Sequence, residues 1–215
     1  MRLRTATLLA ITAFTYIFII KTIGTVFPFI ALVSSIYVKI TETLSLIASL
    51  ALVYFYVIFY KDYVQKEQAK LRIATSLVLI IIVLSMFMEV IRLMQVFDVT
   101  FIPVTSKIRH IEAIVPLAGA LTMLFFFVSF YNENLFKNQM NLKKATSLAI
   151  FGASALVLLH VIIVVNYFYY VETRQPLGII GKSEVSYIIG SVIIIFYFAV
   201  SLYFLTSFYK VQEQS

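Results

Sequence analysis

Apolar residues run along this chain in uninterrupted blocks separated by short polar, mostly basic segments. With about 20 apolar residues needed to cross a bilayer, six blocks qualify: Ala6 to Ile23, Thr43 to Tyr60, Ile73 to Val96, Ile111 to Tyr131, Ala145 to Tyr170 and Val185 to Tyr209. Each predicts a transmembrane helix. Residues 22–38 are also uncharged, but a seventh span there would leave no room for turns on either side. A loop kinked at Pro28 is expected instead, dipping into the interface or re-entering.

Short phrases recur at fixed places in these blocks. Odd helices open on Ala6-Thr7-Leu8-Leu9, Ala74-Thr75-Ser76-Leu77 and Ala145-Thr146-Ser147-Leu148, each just after a basic residue, Arg4, Arg72 or Lys144. Even helices close on Phe59-Tyr60, Phe130-Tyr131 and Phe208-Tyr209. The pattern predicts an all-α integral membrane protein of one domain, residues 1–215, built as three tandem helical hairpins of approximately 1–70, 71–141 and 142–215. The hairpins can surround a pseudo-threefold axis with the odd helices near it. The alternative is that membrane sequences share apolar words and basic borders by chemistry alone.

Composition sharpens this. Of 215 residues, 62% are hydrophobic and 13% charged, too few charges to cover a soluble domain. The net charge of +7 would point to nucleic acid in a soluble protein. Here Arg2, Arg4, Lys61, Lys66, Lys70, Arg72, Lys137, Lys143, Lys144 and Lys210 fall on one side of the six spans, against Lys39, Lys107, Arg109, Arg174 and Lys182 on the other. By the positive-inside rule both termini are expected in the cytoplasm and the protein in the cell membrane, with no nucleic acid as partner. Arg2 and Arg4 before an apolar run resemble a signal peptide, but no small-x-small cleavage site follows, so a retained first helix is expected.

Counting fifteen residues from each repeat's alanine lands on Lys21, Glu89 and His160, roughly 22 Å along the helix at 1.5 Å per residue. Ionisable groups at such depth are costly and usually face protein or a water-filled cavity. One reading is a polar substrate or ion site on the axis, with Glu89 as anion, Lys21 as cation, His160 as the titratable or hydrogen-bonding member, Arg92 one turn away, and Glu42, Arg109 and Glu112 at the rim. The other is packing: a Lys21 to Glu89 ion pair that fastens hairpins, with His160 on a neighbouring hydroxyl. Ala145, Ala149 and Ala153 at i+4, and Ala118-Gly119-Ala120, supply small residues for close helix approach.

Catalytic chemistry finds little support. There is no Cys, which removes thiolate metal sites and Cys nucleophiles. His110 and His160 fall at different depths for a shared haem. Gly152-Ala153-Ser154-Ala155 resembles the Gly-x-Ser-Gly motif of rhomboid proteases, yet ends in Ala155, and the sixth helix, where that family keeps its base, has no histidine. No enzyme activity, metal or cofactor is expected. Three tandem hairpins resemble the plan of mitochondrial carriers, and Glu89-x-x-Arg92 with Tyr131-Asn132-Glu133 is distantly similar to their salt-bridge motifs, although the repeats are shorter and no proline precedes Glu89. In size and topology alone the chain is similar to the substrate-binding subunits of energy-coupling-factor transporters. Two functions stay open: a membrane protein that binds or transports a small polar solute or ion, or a non-transporting scaffold or sensor subunit docking a partner protein through Lys61 to Arg72 and Tyr131 to Lys144.

Overall fold

The computed structural model describes residues 2–26, 35–64, 67–97, 106–133, 139–173 and 184–214. They form six α-helices, α1 (Arg2–Val26), α2 (Ser35–Asp62), α3 (Ala69–Val96), α4 (Ser106–Asn132), α5 (Met140–Thr173) and α6 (Glu184–Gln214), with no strand among the described residues. All six are long and apolar enough to cross a membrane. Each contains one block of the sequence reading, lengthened at its ends. Between α1 and α2 only residues 27–34 remain, so no seventh span fits at about 1.5 Å of rise per residue. Pro28 lies outside the described residues.

The helices stand in a ring. Each packs on its neighbours in sequence, and α1 packs on α6 to close the circle. The outer surface is apolar: Ile80, Phe87, Phe151, Leu158 and Val192 are each more than half exposed. An apolar exterior of this kind belongs in lipid, and the molecule is a multi-pass membrane protein.

At the end of the ring that carries Arg4, aromatic rings fill the interior. Phe59 of α2, Phe130 of α4 and Phe208 of α6 are fully buried and form a triangle, with centroids 6.2 Å (59–130), 5.7 Å (59–208) and 6.0 Å (130–208) apart. One helical turn earlier, Phe55, Phe126 and Phe204 make a second layer, with Phe126 and Phe204 at 6.5 Å and each layer interlocked with the other. Tyr63 lies against all three rings of the triangle, and burial pushes its phenol up to about 12, so it stays protonated. The neighbouring tyrosines turn to the rim. Arg4 sits over Tyr209 at 5.2 Å, Arg72 over Tyr60 at 5.6 Å and Lys143 over Tyr131 at 5.8 Å. Arg4 also pairs with Glu213.

The odd helices fit between by being thin there. Ala6, Ala74 and Ala145 are fully buried. The next residue in each is a buried threonine whose hydroxyl donates to the carbonyl one turn back: Thr7 to Leu3, Thr75 to Leu71 and Thr146 to Leu142, at 2.8, 2.7 and 2.8 Å. A polar side chain is thereby satisfied inside its own helix, the condition for keeping it in apolar surroundings. On α5, Ala145, Ala149, Gly152 and Ala153 are all buried. A Cβ on Gly152 would come within 2.6 Å of Val200 Cγ2 and 3.5 Å of the Tyr197 Cα, so the glycine sets the α5–α6 spacing. Gly152→Ala should cost about 1 kcal/mol by overpacking, read as a lower melting temperature in detergent. A neutral result would mean that the helices part without loss.

Candidate functional site

On α2, Glu42, Ser45 and Ser49 follow one another at i, i+3 and i+7 and so share a face. Two of them engage α3. Glu89 Oε1 accepts a hydrogen bond from Ser45 Oγ at 3.0 Å, and Ser49 Oγ reaches Oε2 at 3.1 Å and Oε1 at 3.3 Å. Glu42 and Arg92 lie within electrostatic reach of the same carboxylate. Arg92 Nε donates to Glu112 Oε1 of α4 at 3.4 Å, an exposed pair whose energetic contribution is small. A polar strip thus crosses from α2 through α3 to α4.

Below this strip, toward the Arg4 end, the helices line a partly open cavity of about 360 Å³ to which every helix contributes. Its wall includes Phe14 of α1, Ser49 and Tyr56 of α2, Ser85 of α3, Pro116, Gly119 and Thr122 of α4, His160 of α5, and Tyr197 and Phe198 of α6. Pro116 lacks an N–H and leaves the carbonyl of Glu112, a residue of the strip, without its helical donor. Toward Arg4 a separate void of about 10 Å³ lies among Phe55, Phe127, Ser201 and Phe204, next to the aromatic layers.

His160 Nδ1 lies 2.9 Å from the carbonyl oxygen of Leu156. A carbonyl can only accept, so Nδ1 carries the proton and, in the neutral ring, Nε2 is the acceptor. His110 packs its ring edgewise on Tyr167 and Phe168 of α5, both at 5.6 Å. The two imidazoles serve different places. Among the described residues no group of His, Cys, Asp and Glu could hold a metal ion.

The sequence reading puts Lys21, Glu89 and His160 at one level. Lys21 lies on α1 and Arg109 on α4, but their side chains fall outside the described residues, and with them the Lys21 to Glu89 ion pair. Among the described residues no hydrogen bond or ion pair joins Glu89 to His160. Ser49 connects their surroundings, lining the cavity while donating to Glu89. Arg92 and Glu112 meet as a pair. The residues missed by sequence are hydroxyls: Ser45, Ser49, Tyr56, Ser85 and Thr122. The i, i+3, i+7 spacing from Glu42 could have revealed the first two; the others carry no local signal.

No protein-family model matches the chain, and neither a curated protein nor a solved structure does.

Proposed function

We propose that the protein binds a small polar solute or ion in the central cavity, entering from the face opposite Arg4, as a step in its passage across the membrane or in its detection. The observation that carries this reading is the cavity itself, lined by all six helices and stopped toward Arg4 by two aromatic layers. With basic residues concentrated at the Arg4 face, that face is cytoplasmic and the mouth external. His160 belongs to the wall; Glu89 and Arg92 with the rim residues Glu42 and Glu112 belong to the entrance, and Lys21 as a site residue and Arg109 as a rim residue are assigned by sequence position alone. No catalytic step is part of the reading.

Three tandem hairpins make sense of the closed end. The equivalent alanines and threonines of α1, α3 and α5, the phenylalanine triangle of α2, α4 and α6, and the three basic side chains over tyrosines support an internal repeat about a pseudo-threefold axis. The phenylalanines at that axis come from the even helices.

A second reading, a scaffold or sensor subunit whose charges serve packing, is favoured by one observation: both oxygens of Glu89 are already engaged by Ser45 and Ser49. The natural absence of Cys makes the test direct. In right-side-out vesicles, Ser85→Cys should react with a membrane-impermeant thiol reagent added outside, slowly because the reagent is charged but faster than from the cytoplasmic face, while Ser201→Cys, below the cavity, should react from neither side. Reaction of Ser85→Cys only from the cytoplasmic face, or equal reaction at Ser201→Cys, would overturn external access.

A further inference from the structure

The composition of the cavity wall narrows its ligand. No formally charged side chain lines it among the described residues, since Glu89 stands behind Ser49 and Arg92 is drawn to Glu112. Phe14 and Phe198, 5.8 Å apart, make part of an aromatic and aliphatic wall. An ion placed there would lose its hydration without a countercharge, a cost that bare inorganic ions do not meet in such surroundings.

The polar groups that do face the space are few and incompletely used. Tyr56 is 4% exposed, yet its hydroxyl donates only to the thioether sulfur of Met123 at 3.6 Å, a weak acceptor. Buried phenols ordinarily find a strong partner. The Ser85 hydroxyl has no partner among the described residues, and with Nδ1–H spent on the Leu156 carbonyl the uncharged form of the His160 ring has Nε2 as its acceptor. Thr122, by contrast, is satisfied by the Ala118 carbonyl at 2.7 Å. The wall therefore offers one phenol held only by a weak acceptor, one ring-nitrogen acceptor and one hydroxyl able to act as either, with the Tyr197 phenol beside them, on an otherwise apolar surface.

We propose that the ligand is an uncharged, largely apolar molecule carrying at least one hydrogen-bond acceptor, for Tyr56, and one donor, for His160. The inference rests on the solute-site reading: it keeps the cavity as the site, excludes the ion, and replaces the polar solute with an uncharged one whose polar groups are few. At about 360 Å³ the cavity stands at the lower end of the range of about 300–1,000 Å³ for small-molecule sites, which sets a compact one- or two-ring size.

Ser85→Cys in the cysteine-free chain reports both points. Its modification rate is measured in nanodiscs with ethyl methanethiosulfonate and with the 2-sulfonatoethyl and 2-(trimethylammonio)ethyl reagents, each normalised to an exposed Lys61→Cys reference. The neutral reagent should lead both charged ones by about tenfold or more. A lead for the cationic reagent that Glu89→Gln removes would overturn the neutral class while leaving a solute site. No reaction with any reagent would bring down the site itself. For the polar contacts, 2-naphthol should protect Ser85→Cys more than naphthalene does at equal concentration, and Tyr56→Phe should erase the difference. Equal protection by the two compounds would show an apolar void with no hydrogen-bond recognition and overturn the proposal.

Discussion

Phe59→Ala should destabilise the protein by about 2–4 kcal/mol, the largest loss expected from a single substitution. Replacing a fully buried Phe with Ala in a soluble core costs about 3–5 kcal/mol. Within a bilayer the transfer part fades, because an unfolded helix still sits in lipid, but the lost dispersion and the empty volume remain. Phe59 contacts the rings of Phe55, Tyr63, Phe126, Phe130 and Phe208, so neighbours cannot collapse into the gap without giving up their own contacts. Unfolding in denaturing detergent measures the loss. The same variant should let a thiol reagent reach Ser201→Cys, because the barrier beneath it has been opened. A loss below about 1 kcal/mol with Ser201→Cys still protected would mean that the rings are not what closes this end.

Removing both hydroxyls that hold Glu89, in the double variant Ser45→Ala and Ser49→Ala, should cost about 2 kcal/mol. Hydrogen bonds to a charged group contribute about 1.5–3 kcal/mol in water-soluble proteins, and polar contacts in membranes about 0.6–2 kcal/mol. The estimate sits between because the carboxylate is only partly buried. The sign of the next step is the informative part. Adding Glu89→Gln to the double variant should restore some stability, because an amide without hydroxyl partners is less costly at that depth than a carboxylate. A triple variant no more stable than the double one would show that the serines pack rather than solvate. If Glu89→Gln alone melts as the parent does yet abolishes solute uptake, the carboxylate works at the entrance; if it lowers only the melting temperature, it fastens α3 to α2. The comparison is a mutant cycle, apt because each serine bonds directly to the Glu89 carboxylate.

The spans were legible because block length alone fixes them, and α1 to α6 contain the six apolar blocks. Facing was not. A helix apolar all round has no polar stripe to orient it, so nothing in Phe59-Tyr60 announces that the phenylalanine turns inward and the tyrosine outward under a cation. The recurrence of the phrase was visible; the triangle it builds was not. His160 was singled out for its cost in the membrane and does line the cavity. Glu89 was singled out on the same ground and is found with serines, residues too ordinary in membrane helices to attract notice. The cavity is invisible to any local pattern, since it is the space left between six helices by Gly119, Ser85 and Pro116, residues far apart in sequence.

The ring order has a bearing on biogenesis. Every helix meets one partner as soon as the next span is made, except that α1 meets α6 only after all the others have been inserted. Until then Phe14, which meets Phe198 of α6 in the finished protein, faces lipid or an insertase. The α1–α6 seam is therefore the last contact that can form, and the one that closes the longest stretch of chain. It is also the one that makes the cavity: five helices in an arc enclose nothing, and the molecule acquires an inside at the moment Arg4 finds Tyr209 and Glu213.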